Sequence, residues 1–247
     1  MKREVQGVLL ILVGGAVLRI VSSGSYINYV KAGMKPYLLA SAAVLVGLGV
    51  LALVDALRGG DEQASVAEPE FHAAAEDDAV LTHDHGTMRT AWLLLLPVAA
   101  IFLIAPGPLG AYTASREAAS VQAPREGDLM PPLPPGDPVP VALDSYAIRA
   151  VWDEGRTLVD RRVELVGFVT PTDDGWQLTR LSLACCAADT VPTKVQPVGE
   201  VPDYPANTWV AVTGTYAPGG GTGSATAVPW VTVDTVVPIA PPAEPYL

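Results

Sequence analysis

Three long apolar runs in the first 109 residues constrain the fold of this chain more than any other feature. They cover residues about 5–21, 36–54 and 91–109, and each is long enough to cross the hydrocarbon core of a bilayer as a helix. A short basic start precedes the first run without a small-residue cleavage site behind it, so we expect an uncleaved helix. We therefore predict a membrane α-helical N-terminal half with three transmembrane helices.

Small residues indicate where these helices approach one another. Ala43 and Gly47 lie four residues apart on the second span, and Gly14 is another small contact on the first. Small side chains let helix backbones pack closely in a membrane. We expect these positions to face a neighbouring helix, although glycine and alanine are also common in membrane helices that make no such contact.

The acidic loop between the second and third spans, residues 55–90, contains every histidine of the chain. Nine acidic residues and only two basic ones occur in it, with few large apolar side chains, so we expect a mobile loop. His83 and His85 form a His-x-His element whose imidazoles are suited to zinc, nickel or copper. We interpret it as a weak metal site; the alternative is a solvated loop with incidental histidines.

A Pro-rich linker over residues 110–140 leads to a soluble domain over residues 141–247, which ends in a C-terminal tail. We predict a short helix capped by Asp144 or Ser145 and ending at Trp152. Alternating apolar residues predict five strands, over residues 162–169, 176–183, 193–198, 208–216 and 229–237. Five short strands in about a hundred residues predict a small all-β domain, an OB-like barrel preceded by a short helix.

The two cysteines, Cys185 and Cys186, are adjacent and lie where the second of these strands ends. Successive residues on a strand point to opposite faces, so both thiols converge only if a turn begins there. With Asp189 they form a candidate metal site, but a closed zinc site needs a fourth ligand. Two alternatives stay open: a strained, reducible disulfide, or one buried cysteine beside an incidental one.

Composition and motifs exclude several classes of function. The net charge of −11 makes nucleic acid an improbable partner, because binding it requires clustered Lys and Arg. The β-domain has no histidine to activate a cysteine or serine, and the chain lacks Cys-x-x-Cys, nucleophile-elbow and Walker motifs. We expect no enzymatic activity and assign no catalytic or cofactor-binding residues. Membrane lipid is the expected surrounding of the spans.

The order of these segments, with three short motifs, resembles the YcgQ-like family of bacterial membrane proteins. The motifs are Gly-Phe-Val at 167–169, Cys-Cys-x-Ala-Asp at 185–189 and Trp-Val-x-Val-x-Gly at 209–214. Members are described as permease subunits, generally encoded beside a multi-span YcgR-like permease. The resemblance covers essentially the whole chain and implies a permease partner, but it implies no reaction and no catalytic residues.

Two hypotheses follow. The first is a non-catalytic membrane accessory subunit that works with a partner permease in the handling of a metal or metal complex, with a transition metal such as zinc as the candidate ion. The second is an envelope sensor of redox state or metal that acts through Cys185 and Cys186. We expect a multi-pass protein of the cell membrane, with its amino terminus inside and its C-terminal domain outside the cytoplasm.

Overall fold

The computed structural model describes residues 3–58, 107–124 and 130–247. The chain divides into two compact units, one of residues 1–25 and 35–106 and the other of residues 26–34 and 107–247. The first unit contains helix α1, Arg3–Ser22, and helix α2, Lys35–Arg58. Both are long and apolar enough to cross a membrane. The first two predicted spans are therefore confirmed as helices, each a few residues longer than predicted.

Glycine at the α1–α2 contact lets the two helix backbones approach closely. A Cβ atom added to Gly49 would lie 2.7 Å from the Ile11 side chain and 2.8 Å from the carbonyl oxygen of Gly7. One added to Gly14 would lie 2.7 Å from Val46. These distances are too short for a real Cβ atom, so larger residues would push the helices apart.

Gly14 faces the other described helix, as predicted, whereas Ala43 and Gly47 do not. A Cβ atom added to Gly47 would meet no atom of the described residues within 4 Å, and Ala43 is exposed among them. That these two residues face the third predicted span stays a prediction. Ala42, which is fully buried, and Gly49 face α1 instead. Ala42 and Gly49 are seven residues apart, which is about two helical turns. This spacing, like a spacing of four, places two residues on one face of a helix.

Two predicted features fall largely outside the described residues. The third predicted span, 91–109, is described only from residue 107 onward, and the acidic loop, 55–90, only in its first four residues, which end α2. His83 and His85 are not among the described residues. Both predictions therefore remain predictions.

The second unit contains a mixed sheet of six strands. Their bounds are β1 Val139–Pro140, β2 Arg162–Thr172, β3 Gly175–Ser182, β4 Val191–Val198, β5 Trp209–Ala217 and β6 Trp230–Pro238. The last five coincide with the five predicted strands, whereas the two-residue β1 lies where a linker was expected. The alternation of apolar residues was therefore sufficient to locate nearly every strand.

The pairings give the strand order β1-β2-β3-β4-β6-β5, and β5 pairs in addition with β2. All pairs are antiparallel except β1–β2 and β4–β6. Strand β2 thus has three partners, and each strand from β3 to β6 has two. The enclosed core includes Leu165, Leu178 and Val212, which are fully buried.

Two short helices pack beside the sheet: α3, Ala111–Arg116, and α4, Leu143–Trp152. The predicted cap of α4 is wrong, because the helix starts after Ala142, which makes no side-chain cap. Asp144 lies instead in the first turn, where its carboxylate accepts a hydrogen bond from the Ser145 amide. An acidic residue there is still favourable for the helix dipole.

The described parts of the predicted linker pack on the sheet. Ala111 and Ala114 of α3 are buried against Phe168 and Leu181. In the proline-rich part, Leu133 joins the main core. The guanidinium of Arg149 donates to the Pro131 carbonyl and that of Arg161 to the Pro134 carbonyl. Prolines lack an amide donor but keep their carbonyl acceptor, so distant arginines can hold an extended Pro-rich segment in place.

Candidate metal centre

Cys185 and Cys186 lie in the β3–β4 loop, residues 183–190, which we call the Cys loop. Strand β3 ends at Ser182, and a single 3₁₀ turn, Ala187–Asp189, precedes β4. The expected end of the strand before the cysteines is thus observed. Cys185 is exposed and Cys186 is half-buried, and neither is part of a disulfide.

The Asp189 carboxylate folds the Cys loop around itself. One of its oxygens accepts a hydrogen bond from the Ala184 amide at 2.8 Å. The other accepts from the amides of Cys185 at 2.7 Å and of Cys186 at 3.1 Å. Three successive amides therefore point at one carboxylate, a backbone arrangement that favours an anion.

A capping box explains why this short sequence folds in this way. Cys186 is the N-cap of the 3₁₀ turn: the Asp189 amide donates to the Cys186 carbonyl at 3.1 Å with the Cys186 sulfur beside it, while the Asp189 carboxylate accepts from the Cys186 amide. The same reciprocal pattern occurs in Ser/Thr-x-x-Glu sequences at helix starts. Here a cysteine takes the position of the hydroxyl residue, so one of the two thiols has a structural contact as well.

The geometry brings all three predicted ligands together. One ligand atom each from Cys185, Cys186 and Asp189 lies within 4.8 Å of the others. In bound zinc sites the metal lies about 2.3 Å from sulfur and about 2.0–2.2 Å from carboxylate oxygen, so small side-chain rotations suffice to surround one ion. Since the loop is at the surface, such an ion would keep an open side.

The thiol and the carboxylate change each other's acidity. The Cys185 thiol donates to the carboxylate, and together with the loop amides this lowers the pKa of Asp189 to about 2. Conversely, the hydrogen bond to Asp189, and secondly that to Cys186, raises the pKa of Cys185 to about 11. The carboxylate is therefore ionised at neutral pH and the thiol protonated, and a protonated thiol is a poor nucleophile.

The connection between α1 and α2, residues 26–34, is bound to the Cys loop; we call it the connector. The amide of Lys31 donates to the Cys185 carbonyl at 3.1 Å, and the amide of Ala187 donates to the Tyr29 carbonyl at 2.7 Å. These bonds form an antiparallel bridge between Val30 and Cys186. Sequence reasoning missed this contact, because backbone bonds between distant segments leave no local pattern.

Tyr246 ties a second point of the connector to the domain. Its hydroxyl donates to the Asn28 carbonyl at 2.9 Å and accepts from the Leu109 amide at 2.8 Å. The tail that carries Tyr246 is itself held by Arg180, whose guanidinium donates to the carbonyls of Glu244 and Tyr246. The connector and the C-terminal tail therefore both belong to the surroundings of the Cys loop.

The described residues define a protein with two helices able to cross a membrane and a C-terminal domain on a six-stranded mixed sheet that carries a Cys-Cys-Asp loop. Residues 5–119 match the DUF1980 N-terminal domain, and residues 146–247 match the DUF1980 C-terminal domain. Together these matches span most of the chain, which therefore belongs to the DUF1980 family, a family of uncharacterised function. No curated protein and no solved structure matches the chain.

Proposed function

We propose that this protein is a non-catalytic membrane accessory subunit that binds a transition metal such as zinc at the Cys loop and works with a multi-span permease. The observation that carries the proposal is the convergence of Cys185, Cys186 and Asp189 within 4.8 Å. Metal binding displaces the thiol protons into solvent, and the resulting two thiolates with the carboxylate form a donor set that suits zinc.

The exposure of the Cys loop favours metal exchange over a structural role. Structural zinc sites are closed by four protein ligands, whereas sites that act on a bound group keep a position open. Here three donors come from a stretch of five residues, and Cys185 is exposed. An ion held in this way is accessible to a donor atom of a partner, as transfer to a permease requires.

The strand pairings support a small binding module as the carrier of this loop. Strands β2 to β6 form a cycle in which only β4 and β6 are parallel. We interpret this cycle as an OB-type barrel, a fold whose loops and one face commonly bind ligands. In this chain the β3–β4 loop presents the thiols.

The bonds between the connector and the Cys loop support an arrangement in the membrane. If α1 and α2 both cross, the connector lies on the face opposite the amino terminus, and the β-domain that binds it lies there too. The third predicted span, 91–109, supplies the return crossing that this arrangement requires. With the amino terminus inside, the β-domain is extracytoplasmic.

The permease partner rests on the resemblance to the YcgQ-like family. It also agrees with the small number of predicted spans, because three helices are too few to enclose a transport path in a single chain. The net charge of −11 is consistent with a role in attracting cations and disfavours nucleic acid.

Zinc titration of the full chain in detergent, in competition with a chromophoric chelator, tests the metal site. We expect one zinc per chain. Cys185→Ser and Cys186→Ser should each lower the affinity by more than the roughly 10–100-fold typical for the loss of an outer-shell partner. Ala188→Ser, an exposed change in the same loop, is the matched control and should bind as tightly as the unaltered chain. Equal affinities for all four proteins would refute the site.

A further inference from the structure

A cleft of about 450 Å³ lies beside the Cys loop in the β-domain unit. Its walls come from the segment after α3, from α4, from the Cys loop and β4, and from the connector. The volume is within the range of small-molecule sites, about 300–1,000 Å³. Asp189 lines the cleft but Cys185 and Cys186 do not, so the cleft is adjacent to the thiols and distinct from them.

A hydroxyl that opens only to the cleft is available to a polar ligand. Thr193 on β4 is only 4% exposed and lines the cleft. Its side chain has no hydrogen bond with any residue that the structure describes, and its oxygen is not fully enclosed by protein. The cleft is therefore where this hydroxyl finds a hydrogen-bond partner, either a ligand or water. Ser120 and Ser182 add two further hydroxyls to the walls.

Charges of opposite sign lie on different walls of the cleft. Asp144 is on α4 and Lys31 is on the connector. One Asp144 oxygen accepts from the Ser145 amide, and Arg180 is close enough to interact electrostatically with this carboxylate. Neither Asp144 nor Lys31 forms an ion pair with a described residue. An anionic and a cationic group are thus both available to a ligand.

We propose that this cleft binds a small zwitterion of the amino-acid class, with its ammonium group at Asp144, its carboxylate at Lys31 and a hydrogen bond to Thr193. Ile148 and Leu183 provide apolar wall for an aliphatic side chain. A ligand with one charge only would engage either Asp144 or Lys31 and not both. This site goes beyond the metal site and does not depend on it.

Calorimetric titration of the full chain in detergent, with a chelator present to remove metal, tests the proposal with three matched probes. L-leucine carries both charges, L-leucinamide lacks the carboxylate, and 4-methylpentanoate lacks the ammonium group. We expect saturable binding of L-leucine that is at least about tenfold tighter than that of either analogue, because each lost charge removes a charge-assisted hydrogen bond. L-serine, titrated in parallel, tests whether a smaller zwitterion also binds.

Substitutions of cleft residues test whether L-leucine binds in this cleft. Thr193→Val keeps the shape of the side chain, and Lys31→Gln keeps most of its length; each should weaken L-leucine binding about tenfold or more. Cys185→Ser should leave it unchanged, which separates this site from the metal site. The far-ultraviolet circular dichroism of each variant verifies folding. No saturable binding of L-leucine or L-serine, equal binding of all three matched probes, or full affinity in folded Thr193→Val would overturn the proposal.

Discussion

The Asp189 carboxylate is the group around which the Cys loop folds. The sequence places it three residues after Cys186, which suggested a metal ligand. In the structure its oxygens accept hydrogen bonds from three backbone amides and from the Cys185 thiol. These bonds hold the carboxylate in a fixed position, a preorganisation that favours binding of a cation.

Asp189→Asn should loosen the Cys loop. An amide retains only one oxygen, and its NH₂ group would face backbone donors. Hydrogen exchange of the full chain should show the amides of Cys185 and Cys186 exchanging about tenfold faster or more. Asp173→Asn, in the exposed β2–β3 turn, is the matched control. Unchanged protection in the Asp189 variant would contradict the role assigned to this carboxylate.

Acid should loosen the loop in the same way in the unaltered protein. The pKa of Asp189 is lowered from the ordinary 3.8 to about 2. A lowered pKa in the folded state means that the stabilisation is present above the ordinary value and is lost as the pH falls through the lower one. Exchange protection of the Cys loop should therefore persist at neutral pH and decrease between about pH 4 and pH 2.

At the scale of elements, the sequence located five strands by the alternation of their apolar residues and two helices by the length of their apolar runs. The packing of the Pro-rich segment and the bridge between Val30 and Cys186 could not be predicted, since they depend on contacts between distant parts of the chain. Likewise, the Cys-Cys-Asp set was recognisable from spacing, but the cleft lined by Thr193 and Lys31 arises only from the tertiary fold.

The α1–α2 hairpin offers a matched pair of substitutions. Gly49→Ala inserts a methyl group against the backbone of α1, whereas Gly47→Ala meets no atom within 4 Å in the part of the chain that the structure describes. Overpacking typically costs about 1–3 kcal/mol. Thermal unfolding of the full chain in detergent should show a lower midpoint for Gly49→Ala and no decrease for Gly47→Ala. Equal midpoints would mean that Gly49 does not face α1.

At the scale of the whole molecule, the connector decides the expected side of the β-domain. It joins α1 to α2 and is bonded to the Cys loop and to Tyr246. If both helices cross and the amino terminus is inside, as we propose, alkaline phosphatase fused after Leu247 should be active in bacterial cells, because it requires the oxidising conditions outside the cytoplasm. Activity of a reporter that works only in the cytoplasm, fused at the same point, would contradict this placement.

The proposed permease partner is also tested at the scale of the whole molecule. Co-expressed with a multi-span YcgR-like permease, the full chain should co-purify with it in mild detergent. The Cys185→Ser variant should co-purify equally well, since the proposal assigns this thiol to metal binding and not to association with the permease. Failure of the unaltered chain to co-purify would remove the basis for an accessory subunit.

X-ray absorption at the zinc edge, on the full chain loaded with one equivalent of zinc, tests the central claim most directly. The account predicts two sulfur neighbours near 2.3 Å together with lighter oxygen or nitrogen neighbours near 2.0–2.2 Å, and loss of one sulfur neighbour in Cys185→Ser. A first shell of oxygen and nitrogen alone, or a spectrum that the Cys185→Ser substitution leaves unchanged, would contradict it.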